Sequence, residues 1–158
     1  MKQIPKTLLA GFLLFAFIGF ADAAYLTAKH YLGEIPPCSI VTGCETVLTS
    51  AYATLPGNIP IALVGALYYL MLFIGGVIYL DTKNTFILKT TAYGTTVGFL
   101  TSVILINLQV FIIRAICLYC VVSAAASTIL FIISLVILKR IKKENMVADT
   151  PPMPILMR

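Results

Sequence analysis

Four apolar runs, each long enough to cross a bilayer, occupy most of this chain. About 20 predominantly apolar residues span about 30 Å of hydrocarbon. The runs cover residues 7–28, 59–80, 86–109 and 116–138. In lipid every backbone polar group must be satisfied internally, so such runs can only be helices. The predicted fold class is an all-α integral membrane protein, a bundle of four transmembrane helices within residues 1–144. The basic, then Pro-rich stretch 145–158 reads as a short disordered tail. Composition agrees. Sixty per cent of the 158 residues are apolar and 11% charged, against about 25% charged in a soluble domain.

The first run has a rival reading. Met1–Lys6 followed by Leu8–Phe20 resembles a signal peptide, with Ala21-Asp22-Ala23 as its cleavage site. The apolar run continues through Tyr25 and Leu26, which is long for a signal sequence, so it is read as a span. Gly94-x-x-x-Gly98, Ala62-x-x-x-Ala66 and Ala124-Ala125-Ala126 supply small residues of the kind that let membrane helices pack closely.

The net charge of +5 does not point to nucleic acid, because the basic residues sit at the ends of the runs. Lys and Arg favour the cytoplasmic side. With the N-terminus inside, nine of the eleven fall there (Lys2, Lys6, Lys83, Lys89, Lys139, Arg140, Lys142, Lys143, Arg158) and only Lys29 and Arg114 fall outside. The expected location is a cell (inner) membrane, multi-pass, with both termini cytoplasmic. Residues 31–58 and the start of the fourth run then face outward.

That topology puts four cysteines on one side, the oxidising one, where disulfides persist. They form two pairs, Cys38/Cys44 in the long outer loop and Cys117/Cys120 at the head of the fourth helix. Two pairs suggest a relay of electrons from one disulfide to the other. In Cys117-Leu118-Tyr119-Cys120 the two thiols share a helix face. Cys120 lies about 4.5 Å deeper at about 1.5 Å per residue. Cys117 is at the helix N-terminus, where the dipole favours the thiolate. It is placed to exchange with another thiol, whereas Cys120 points into the bundle. In the loop, Pro36-Pro37 precedes Cys38, and Val47, Leu48, Ala51, Tyr52 and Leu55 form an amphipathic stripe. That stripe predicts a short helix lying on the membrane and capping the bundle, ended by Pro56-Gly57.

Other readings of the cysteines are two fixed structural disulfides, a zinc site, or a heavy-metal transporter with soft ligands. The spacing of the first pair is wide for zinc, and a transporter predicts cysteines on both faces or at mid-membrane. No other metal or phosphate motif is present. Asp22 reads as a structural hydrogen-bonding group, His30 as a lone interfacial histidine and Arg114 as an anchor. Tyr68 and Tyr69 are equally suited to packing or to lining a pocket. Asn107, Gln109 and Arg114 mark the turn between the third and fourth runs by polarity alone.

The flanks carry more. Asp22-x-x-Tyr25-Leu26-Thr27-x-x-His30-Tyr31, Cys38, Gly43-Cys44-Glu45-x-Val47-x-x-Ser50-x-Tyr52, Gly57-x-x-Pro60-x-Ala62-x-x-Gly65-x-x-x-Tyr69 and Cys117-x-Tyr119-Cys120-x-x-Ser123-Ala124 together resemble the vitamin K epoxide reductase family, above all its bacterial and archaeal members. The resemblance implies a DsbB-like thiol–quinone oxidoreductase that supports disulfide-bond formation. It implies a bound membrane quinone, of ubiquinone, menaquinone or vitamin K type, near the outer end and no metal. It also implies roles: Cys38 accepts electrons from a DsbA-like, thioredoxin-fold partner, Cys44 passes them to Cys117, and Cys120 reduces the quinone. Ser50, Tyr52 and Tyr69 are the implied quinone contacts. Two departures, Ala124 and Ile61 in place of a family tyrosine and asparagine, weaken the case for vitamin K epoxide reduction and leave quinone reduction intact. The chain ends at Arg158 without a fused thioredoxin-like domain, so the expected partner is a separate protein.

Overall fold

The computed structural model describes residues 4–36 and 43–148, with side chains through Lys143. Four helices are long and apolar enough to cross a membrane: 6–32, 61–82, 85–113 and 118–143. The first, α1 (Lys6–Leu32), runs four residues beyond the apolar stretch and stops at Gly33, whose φ of 67° lets its N–H close back on His30. A short α2 (Gly43–Leu48) follows. Then come two strands of two residues each, β1 (Thr54–Leu55) and β2 (Ile59–Pro60), paired antiparallel. Helix α3 (Ile61–Thr82) and α4 (Thr85–Asn107) complete a hairpin. Its turn is closed by Lys83 in the left-handed conformation and by the Asn84 side chain, which accepts the Phe86 N–H at 2.9 Å. The last helix, α5 (Leu118–Ala148), continues past residue 144. The stretch Lys139–Ala148 contains neither Gly nor Pro to end it.

Helix α1 packs along α3 and α5, and α4 along α5 and α3. Close approach rests partly on glycine. A side chain at Gly19 would run into the Tyr69 ring, and one at Gly98 into the Tyr68 hydroxyl. Two apolar clusters hold the bundle. Phe12, Ala16, Ala23, Ala66, Tyr69, Leu72 and Leu130 form the one at mid-height. Leu9, Tyr79, Leu88, Ile137 and Ile141 form the one at the end away from the cysteines.

Two expectations need correction. The cap helix stops at Leu48 instead of running to Leu55. Thr49 and Ser50 turn their hydroxyls back onto the carbonyls of Glu45 and Val47, both at 2.7 Å, which competes with continued helix. Gly57 and Asn58, at φ 93° and 59°, then make a three-residue hairpin between β1 and β2. The third span also outruns its predicted end at Gln109. It continues as a π-helical turn, Leu108–Ile113, and stops at Arg114 with φ 54°. A π turn holds one extra residue, which hydropathy does not register.

Candidate functional site at the cysteine end

Where α2 meets the head of α5, Cys44, Val47 and Cys117 form a third buried cluster, with Ile113, Ala115, Tyr119 and Cys120 packed on it. Cys44 and Cys117 are both 0% exposed. Gly43 makes the approach possible. A Cβ there would lie 2.6 Å from the Ile116 carbonyl oxygen and 2.7 Å from its nitrogen, closer than real Cβ atoms come. Cys44 is held in a disulfide, while Cys117 and Cys120 are thiols. Cys38 lies outside the described residues.

Cys117 immediately precedes α5, so the unpaired N–H groups of the first turn are directed at it. Its thiol is pushed down to about 6. The largest cause is the hydrogen bond that the Cys120 thiol donates to it. Burial opposes this, and the backbone N–H groups of Cys120 and Tyr119 add to the lowering. The Cys117 N–H donates to Gln109 Oε1 at 3.0 Å. The Gln109 side chain also hydrogen-bonds the Cys120 thiol. Gln109 is 3% exposed and is turned inward by the π turn that contains it. It clamps both ends of the C-x-x-C, a role beyond the turn marker that its polarity suggests. The signal was there: an amide deep in an apolar run is costly unless it is used.

Cys120 faces the other way, into a cavity of about 140 Å³ among α1, α3, α4 and α5, roofed by α2 and the turns after it. Its wall is mostly aliphatic. The polar groups on it include Asp22, Ser50, Ser102, Gln109 and Ser123. Mostly apolar lining with a few placed polar groups is the ordinary form of a small-molecule site.

Ser50 and Tyr52 lie on this wall, although the Ser50 hydroxyl donates to Val47. Tyr69 does not line it. Its hydroxyl donates to the Ser123 carbonyl at 2.7 Å and lies 3.1 Å from the Ser123 hydroxyl, so it ties α3 to α5 behind the wall. The structural bond expected of Asp22 is missing at one oxygen: Oδ2 is buried without a hydrogen-bond partner among the described residues. His30 is on the cavity wall too.

The family model described as vitamin K epoxide reductase family matches residues 11–135, a stretch that holds both cysteine pairs and all four spans except the start of the first and the end of the fourth. No curated protein matches the chain.

Proposed function

The chain belongs to the vitamin K epoxide reductase family, and we propose on that premise that this membrane redox enzyme is a thiol–quinone oxidoreductase. It oxidises a DsbA-like dithiol partner outside the cytoplasm and reduces a quinone of the bilayer. The observation that carries this reading is the division of the C-x-x-C: Cys117 packs on the disulfide-bonded Cys44, and Cys120 opens onto the apolar cavity.

In this reading the partner reduces the Cys38–Cys44 disulfide. The Cys44 thiolate attacks Cys117 of an oxidised Cys117–Cys120 pair, releasing Cys120. Cys38 then attacks Cys44, and Cys117 leaves as a thiolate. A low thiol pKa makes a good leaving group, which suits the environment of Cys117. The combination of an oxidised Cys44 and two free thiols at Cys117 and Cys120 corresponds to the state after this transfer. The quinone supplies the terminal two-electron chemistry. The protein's part is to hold Cys120 on the cavity wall, to stabilise the Cys117 thiolate, and to keep water away from both.

The test adds a short-chain quinone to the reduced, purified protein and follows thiol loss. Wild type is expected to lose thiols. Cys120→Ala is expected to lose none to the quinone while its loop disulfide still exchanges with a small dithiol. Cys38→Ala is expected to slow oxidation of a protein partner more than oxidation of a small dithiol. Normal quinone reduction by Cys120→Ala would remove Cys120 from its role.

A further inference from the structure

Disulfide formation at Cys117 and Cys120 releases protons as well as electrons, and the quinone must gain two of each. With Cys117 already ionised at neutral pH, the balance is one thiolate, one thiol, one quinone and one proton from water. They give one disulfide and one hydroquinone. The Cys120 proton is released on the wall of a mostly apolar cavity, so it needs a carrier there.

We propose that Asp22 is that carrier: its carboxylate takes the proton of the Cys120 thiol as the S–S bond forms and delivers it to an oxygen of the quinone. Three observations place it. Asp22 and Cys120 lie on the same cavity wall. One carboxylate oxygen is fully buried and has no hydrogen-bond partner among the described residues, although an unsatisfied buried acceptor costs free energy. Two neighbouring groups capable of moving a proton are otherwise engaged. Tyr69 donates to Ser123, and the Cys117 sulfur accepts from Cys120. A carboxyl group here is thus held ready for a bond that the protein itself does not make.

The titratable groups facing Asp22 are Tyr69 from α3, Tyr119 and Cys120 from α5, and Cys117 just before it. His30 from its own helix shares the cavity. Lys29, the basic group nearest in sequence, is ion-paired with Glu34.

This inference rests on the quinone reading above, and the experiment separates the two. Reduced full-length protein in liposomes is mixed with a short-chain benzoquinone over a range of pH, and the single-turnover loss of Cys117 and Cys120 thiols is followed. Asp22→Asn is expected to slow that step about 100-fold, the usual scale for losing a positioned proton-transfer group, and to flatten its pH profile. Reduction of the Cys44 disulfide by a small dithiol is expected to be unchanged. Asp22→Glu, which keeps the carboxyl group, is expected to recover most of the rate with a displaced pH profile. An Asn variant with the wild-type rate and profile overturns the proposal and leaves the quinone reading standing. Equal slowing of quinone reduction and dithiol exchange also overturns it, by making Asp22 structural. A wild-type protein that loses no thiols to the quinone overturns both.

Discussion

The two ends of the bundle are built to different rules. At the end away from the cysteines, Leu9, Tyr79, Leu88, Ile137 and Ile141 close on one another, α3 and α4 are joined by a two-residue turn, and the helices are regular. At the cysteine end the elements are short or irregular: a six-residue α2, a hairpin of two-residue strands, a π turn, and two non-glycine residues with positive φ, Asn58 and Arg114. Gln109 and one oxygen of Asp22 are buried there, whereas the polar side chains buried further along the bundle are the small hydroxyls of Thr95, Ser127 and Ser134. The comparison teaches that the regular end supplies stability, while the irregular end uses it to hold reactive groups in place.

Three perturbations test this division, in order of expected effect on the thiol chemistry. Gly43→Val should be the most severe. Its side chain meets the Ile116 backbone and pushes Cys44 away from Cys117. Misplacement of this kind costs about 10²-fold in a positioned reaction. Rapid mixing should show slowed transfer between the loop and Cys117, with quinone-driven thiol loss in pre-reduced protein unaffected. Unimpaired transfer would mean that the docked position of α2 is not the reacting one.

Acidification comes second. Because the folded-state pKa of Cys117 is lowered to about 6 from an ordinary thiol value of about 8.5, the stabilisation of its thiolate is complete above the ordinary value. It is lost as pH falls through about 6. Ultraviolet thiolate absorbance, measured against Cys117→Ser, should therefore rise near that lower value. A midpoint at the ordinary value would show that Cys120 and the helix head do not stabilise the anion.

Ile137→Ala should leave the chemistry untouched. Ile137 is 1% exposed, and emptying such a site costs about 2–3 kcal/mol. Unfolding in mixed micelles should reveal that loss, and single-turnover transfer should match wild type. A coupled loss of rate would dissolve the distinction between the two ends.

The regular end was the more legible in the sequence. Hydropathy alone located the four spans, since an apolar run in lipid has one backbone solution. The cysteine end was legible only where chemistry was explicit, in the C-x-x-C and its flanks. The reach of the cap helix was overestimated because its apolar stripe continues through residues that the hairpin uses instead. Thr49 and Ser50 were the sign that it stops. The π turn left no hydropathic trace, and so the inward aim of Gln109 was missed. Tyr69 was placed on the cavity by motif, whereas only the packing against Ser123 shows that it stands behind the wall.

The complete burial of Cys44 and Cys117 against each other has a consequence for leakage. A junction between two redox pairs is where dissolved oxygen, peroxide or a stray low-molecular-weight thiol would short-circuit the flow. Here Val47 and Ile113 pack with Cys44 and Cys117, and neither cysteine is exposed to solvent. If electrons pass between the two pairs as proposed, the point of transfer is closed to solvent.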